Sequence, residues 1–335
     1  MNAGRGWQSW GMRRTFVLLA AALVTGALAL PPASAADEGF TIKDPRITES
    51  SGLAASRQHP GIYWTHNDSD DGAHLYAVDG RTGETVATLT LTGVGSPRDV
   101  EAISIGPGDQ IYVGDIGDNL GGSWSHVWIY RLPEPKTLKD ATVPATQYVV
   151  TYADGARDAE SLVVHPRTGR VYIVDKDERG SHLYQGPAEL TASGGNVFTR
   201  VADVPDLEAT DAALSPDGEQ LVVRSYFGAV AYDWNGGRIE RTGRLSVPFL
   251  GQGESVTYTA DGSQLMYGAE GEGSSVEPGE VPGGPKSPAE TGGSVPGGDG
   301  GRDGGGGGIS IGKGALAVGA AVVALLGLSR LRRRK

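Results

Sequence analysis

The chain has 335 residues, of which 53 are Gly, 5 are Phe and none is Cys, and its formal net charge is −11. The absence of thiols excludes a disulfide scaffold, a thiol nucleophile and a thiolate metal site. Glycine at roughly twice its usual share speaks against a helical bundle, since each helical Gly costs about 1 kcal/mol against Ala. The acidic balance removes the basic face that a nucleic-acid binder needs to neutralise phosphates.

Residues 1–35 read as a secretory signal peptide. Arg5, Arg13 and Arg14 precede an acid-free apolar run from Phe16 to Leu30, and Ala33-Ser34-Ala35 offers the small residues that signal peptidase requires. Arg13-Arg14-Thr15-Phe16-Val17 has twin-arginine form, which leaves the general and the folded-state export routes both open.

Residues 36–276 carry a recurring unit whose starts are Ser51, Glu101, Glu160, Asp211 and Glu254, at intervals of 50, 59, 51 and 43 residues. Each start opens a short apolar run. A turn follows, such as Pro107-Gly108-Asp109 or Pro216-Asp217-Gly218, and then a second run such as Ile111-Tyr112-Val113 or Leu221-Val222-Val223. This is the pattern of strand hairpins. Every full interval has room for four strands; in the second unit they are expected at 101–106, 110–115, 127–132 and 147–152. Four-stranded units of this length are propeller blades, which bury their faces only against each other. The fold class is therefore all-β, a β-propeller of five blades, with room for a sixth, degenerate blade only inside the 59-residue interval. Residues 40–48, left over at the front, are expected to complete the last unit and close the ring.

The first two strands of a blade are antiparallel, so the start of one and the end of the other share a face. Fourteen or fifteen residues after the repeat starts lie His66-Asn67-Asp68, Asp115, Asp175, Ser225 and Ala269-Glu270, which places both sets around one mouth. Converging carboxylates need a compensating cation. The candidate cation ligands are Asn67, Asp68, Glu101, Asp115, Asp118, Asn119, Glu160, Asp175, Asp211 and Glu254. Oxygen donors of this kind suit calcium, although neither acidic loop is an EF-hand, because Val78 stands twelfth after Asn67. His66, Arg98, Arg157 and Arg224 are the candidate contacts to a bound molecule; Arg98 and Arg157 each stand three residues before a Glu.

From Gly271 to Gly308 the chain holds 16 Gly and 5 Pro, so residues 277–308 read as a disordered tether. Residues 309–328 carry no acid and one Lys, enough to cross a bilayer as a helix. The basic tail 329–335 then stays in the cytoplasm. The expected product is a single-pass cell-membrane protein with an extracellular N-terminal domain. Cell-wall attachment is the alternative, because Pro288-Ala289-Glu290-Thr291-Gly292 is similar to a sortase signal with Pro288 in place of the leading Leu. Three of the 29 basic residues lie in 1–35 and six in 309–335, and neither segment has an acid. The extracellular part thus holds 20 basic against 40 acidic residues, a net −20.

His66-Asn67-Asp68-Ser69, Gly114-Asp115-Ile116-Gly117-Asp118-Asn119 and Asp158-Ala159-Glu160 resemble motifs of secreted or membrane-tethered bacterial β-propeller proteins common in actinobacteria, over about residues 47–273. An Asp-Trp-Glu-Asp motif of that group departs here, with Val100 for the Trp and Ala102 for the last acid. The resemblance implies a propeller remotely similar to phytase-like and esterase-like ones, and no reaction. The reading is a surface binding module whose calcium-holding mouth recognises an extracellular ligand or partner. The alternative is a metal-dependent hydrolase of phosphoesters or carboxylic esters. For that reading the mouth offers few basic residues, no Gly-x-Ser-x-Gly elbow, and only Ser225 with His66 as a rim pair.

Overall fold

The computed structural model describes Met1 and residues 38–283. The expected signal peptide, most of the tether, the spanning helix and the basic tail lie outside the described residues. Within them the chain is all-β, with 21 strands and no helix.

After β1 (Phe40–Thr41), an antiparallel meander runs through β2 (Ser50–Ala55), β3 (Ile62–Asn67), β4 (His74–Asp79) and β5 (Thr85–Thr92). A second group comprises β6 (Val100–Gly106), β7 (Gln110–Asp115), β8 (Val127–Pro133), β9 (Ala141–Pro144) and β10 (Thr146–Tyr152). Next come β11 (Ala159–Val164), β12 (Val171–Asp175), β13 (Ser181–Gln185) and β14 (Asn196–Val204), followed by β15 (Asp211–Leu214), β16 (Gln220–Ser225), β17 (Gly228–Asn235) and β18 (Arg238–Leu245). The last sheet is built from β19 (Gly253–Tyr258), β20 (Leu265–Ala269) and β21 (Ser275–Gly279), and β1 supplies its fourth strand. The opening strands β2, β6, β11, β15 and β19 neighbour one another in that order, and β19 returns to β2. The leftover front segment thus pairs where the sequence leaves a gap, with Phe40 opposite Val276.

Two features exceed the sequence reading. The extra length of the 59-residue interval forms β9, which leaves its own group and pairs in parallel with β5 of the preceding one. Similarly β10 pairs in parallel with β14 of the next. Both pairings occupy outer edges whose backbone groups would otherwise stand open. In addition, β21 extends to Gly279, past the expected boundary at 276, because residues 276–279 pair with Leu265–Gly268 of β20.

The apolar core lies between adjacent sheets rather than in one centre. One cluster joins Trp64, Leu75 and Leu89 to Ile103, Ile111 and Tyr130. The buried Trp64 indole needs an acceptor and donates to Glu134 Oε1 at 2.7 Å, which also accepts Ser56 Oγ at 2.5 Å. The closing seam is equally tight at Gly83. This residue has φ +73°, and a Cβ there would lie 1.8 Å from the carbonyl oxygen of Thr41 at the end of β1.

Gly83→Ala should therefore cost roughly 2–3 kcal/mol, lowering Tm by about 4–10 °C. Gly108→Ala, at φ +66° with nothing within 4 Å, should cost less than half of that. Equal losses in a thermal melt of the two variants would remove the seam from the explanation.

Candidate metal centre at the channel mouth

Four of the five opening strands break register where their acids or serine stand. The shifts fall between Ser50 and Leu53, Val100 and Ala102, Ala159 and Ser161, and Gly253 and Ser255. The skipped residues include Ser51, Glu101, Glu160 and Glu254. A β-bulge leaves such a residue out of the ladder and re-aims its side chain. β15 carries no such shift, and Asp211 stands opposite Arg224. Its carboxylate accepts Ala212 N at 2.7 Å and Val256 N at 2.8 Å, which joins β15 to β19.

Asp68, Asp99 and Glu101 are buried and each offers an oxygen within 4.8 Å of the others, an arrangement that could hold a metal ion. Backbone bonds fix their elements: Val100 N donates to Asp68 O at 2.8 Å, and Asp68 N to Glu49 O at 3.0 Å. Asn119 Nδ2 donates to Asp99 Oδ2 at 3.0 Å and Ser51 Oγ to Glu101 Oε2 at 2.8 Å. Glu101 Oε1 is buried without a hydrogen-bond partner. A side chain at Gly117 would collide with this pair of acids, since a Cβ there would lie 2.8 Å from both the Asp99 carboxylate and Glu101 Cγ. Burial, and then the charges of Glu160, Asp99 and Asp68, raise the Glu101 carboxyl well above its ordinary value.

The other half of the mouth contains its own cation. Lys176 Nζ is bonded to Glu160 Oε1 and donates to Tyr226 OH at 2.7 Å. Burial pulls the ammonium down, but Glu160 and its neighbours outweigh burial and hold it protonated. Burial likewise raises the Glu160 carboxyl against the pull of Lys176, and Glu160 Oε2 has no hydrogen-bond partner. Gln252 Nε2 donates to Glu254 Oε1 at 2.6 Å and also to Glu270 Oε2.

The remaining sequence candidates are engaged in the scaffold. Asp115 accepts Asp99 N at 3.0 Å and Tyr130 OH at 2.5 Å, so it positions the turn that carries Asp99. Asp118 closes its own loop by accepting Ser123 Oγ and Trp124 N. Asp175 accepts Arg157 Nη1 at 2.8 Å and His182 N at 2.5 Å. Asn67 donates to Arg46 O and Asp71 Oδ2 and accepts Thr48 N, pinning the entry to β2. Arg98 lies between the Trp124 and Trp128 rings, at 4.0 and 3.8 Å, and donates to His126 O. Arg157 packs over Tyr184 at 4.5 Å and pairs with Asp154 as well as Asp175. Arg224 is fully buried, donates to Ser255 O and to Gly268 O, and lies over Tyr267. His66 is buried against Gly52, and burial lowers its pKa to about 4, so the ring is neutral at pH 7.

Of the ten expected ligands, Asp68 and Glu101 meet directly, Asn119 supports them, and Glu160 and Glu254 belong to the Lys176 half. Asp99 was absent from the expected ligands, while Lys176, expected at the mouth only as one of its few basic residues, pairs with Glu160. Asp99 carried a readable signal: an Asp two residues before the Glu recurs at 99/101 and 158/160.

No family model and no curated protein matches the chain. Among solved structures it is similar to a gluconolactonase of Xanthomonas campestris (18% identity, TM-score 0.43, 73% of this chain and 80% of that one). It is also similar to the soluble aldose sugar dehydrogenase of Escherichia coli (10%, 0.45, 72% and 98%) and to the hydrazine synthase of Kuenenia stuttgartiensis (15%, 0.38, 68% and 57%). The chain therefore spans less than two thirds of the hydrazine synthase chain.

Proposed function

We propose that the chain is a membrane-anchored, cell-surface β-propeller of five blades whose mouth holds calcium and recognises an extracellular partner there. The observation that carries the reading is the buried trio Asp68, Asp99 and Glu101, with oxygens within 4.8 Å of one another and Glu101 Oε1 lacking a partner. Three carboxylates taken out of water at this spacing repel one another and ask for a compensating cation. Every donor is a hard oxygen, which suits calcium, and backbone carbonyls and water can complete its usual six to eight ligands. Export directed by the signal at 1–35 and retention by the helix at 309–328 would set the mouth outside the cell, in keeping with the flanking charges.

A divalent cation that binds only the folded chain should stabilise it by about 2.7 kcal/mol at a hundredfold excess over Kd, raising Tm by roughly 5–10 °C. Calcium titrated into chelator-treated protein should show that rise, and Asp99→Asn should abolish it. A wild-type Tm indifferent to both calcium and chelator would sink the metal reading.

The raised Glu101 carboxyl fixes the sign of a pH effect. A carboxyl whose folded pKa is above the unfolded value of 4.5 contributes full stability below that value and loses it as pH rises through the folded pKa. His66 acts oppositely, since its lowered pKa costs stability as pH falls from 6.5 towards 4. From 4.5 up to its folded pKa, the Glu101 contribution to calcium-free Tm should fall with rising pH. Glu101→Gln should remove that share of the slope, raise the calcium-free Tm and remove the calcium response. A Glu101→Gln variant that keeps the wild-type slope would contradict this assignment.

In cell fractionation the chain should remain in membranes through an alkaline wash and enter detergent. Release by a wall-digesting muramidase, without detergent, would instead assign it to the wall.

A further inference from the structure

At the end of the ring opposite the acids, the opening strands enclose a second concavity. Pairing fixes that end: Gly106, which closes β6, faces Gln110, which opens β7, and Tyr258 faces Leu265 in the same way. A well of about 50 Å³ lies there, and its wall includes Leu53, Ile103, Ile105, Val164, Ala213 and Val256, at least one from each opening strand. Ile105 stands four residues beyond Glu101, about 13 Å along an extended strand, which separates the well from the acidic trio. Among the residues lining the well, Arg57 alone has a charged side chain. It belongs to the turn between β2 and β3, which leans on the neighbouring sheet: Gln58 Nε2 donates to Pro135 O at 3.1 Å, and His59 Nε2 lies 2.7 Å from the same oxygen.

Arg57 Nη2 donates to Ile105 O at 3.2 Å, which sets the guanidinium at the rim of the well. That uses one of its five donors, and among the described residues Arg57 forms no ion pair. Burial pulls the guanidinium below its ordinary range, against the more distant charges of Asp109 and Glu134. A cation held at the edge of an apolar hollow with most of its donors unspent is complementary to an amphipathic anion. The larger cleft of about 360 Å³ between the β2–β3 and β19–β20 turns has no such group, because its one charged residue, Asp261, already accepts Thr259 Oγ1 at 2.7 Å and Ser263 N at 3.0 Å. We propose that the well is a second binding site, for a short straight-chain monocarboxylate whose carboxylate pairs with Arg57 and whose alkyl tail enters between the opening strands. An apolar cavity of about 150 Å³ holds a benzene ring, so a well of about 50 Å³ takes a tail of about two or three carbons. Propionate and butyrate fit that size, and a branched tail does not. The site requires neither the acidic mouth nor a metal there.

The test is saturation-transfer NMR on the full chain in phosphatidylcholine nanodiscs, with chelator present and ionic strength held constant. Propionate, butyrate, 2,2-dimethylpropionate and propionamide are titrated in turn. Propionate and butyrate should bind, with their terminal methyl protons the most strongly saturated, and the branched acid and the amide should bind at least about tenfold more weakly. Arg57→Gln should weaken propionate by at least about tenfold and keep the wild-type Tm, because residue 57 is exposed. Arg57→Lys, which preserves the charge, should retain more of the binding than Arg57→Gln. Equal binding of propionamide, equal binding by Arg57→Gln, or no saturation of either straight-chain acid would overturn the site. Equal binding of the branched acid, with sulfate displacing both, would leave only an anion patch on the turn and remove the well from the explanation.

Discussion

Carboxylates held out of water at the axis of a ring constrain everything else at the mouth. Unpaired, each costs more than a hydrogen bond returns, and the chain resolves the problem differently on its two sides. Glu160 is neutralised from within by Lys176, whereas Glu101 has only the Ser51 hydroxyl on one carboxylate oxygen and no hydrogen-bond partner on the other. The asymmetry makes the first half a self-sufficient part of the fold and the second a place where stability is given up. Such a local conflict between burial and charge is what a binding site leaves in an otherwise consistent structure.

The surrounding scaffold supports that conflict with ordinary means. Asp115 and Asp118 hold the turns that carry Asp99 and Asn119, and Asn67 holds the entry to β2. Arg98 braces the turn of Asp99 against Trp124 and Trp128, and Arg157 braces the turn before β11 against Tyr184. Removing any of these would loosen the trio without touching it, which is why an acidic residue near the axis need not be a ligand.

Much of the architecture was legible in the sequence, because turns and strand periodicity are local. The expected strands of the second unit differ from the observed ones by about a residue at their ends, and the front segment pairs with the last sheet as anticipated. What escaped were properties of two strands at once. A bulge at Glu101 is a shift in register between β6 and β7, and no single strand's sequence displays it. The parallel pairings of β9 and β10 are equally invisible to local patterning. Arg98 and Arg157, each three residues before a Glu, read as contacts to a bound molecule at the mouth, yet the bulges at Glu101 and Glu160 break the regular alternation of faces along the strand. Arg98 accordingly stacks on tryptophans while Asp99 joins Glu101.

The pairing of Phe40 with Val276 has a temporal meaning as well. Among the described residues β1 is the first strand synthesised, and its one strand partner, β21, is the last. Until β21 emerges, the apolar side of β20 lacks its neighbour and β1 has no ladder to join. Closure of so long a loop is the slow, high-contact-order step of folding. The intermediate sheets can mature while the ring stays open, so the first and last described strands act as a clasp that records completion of the ring.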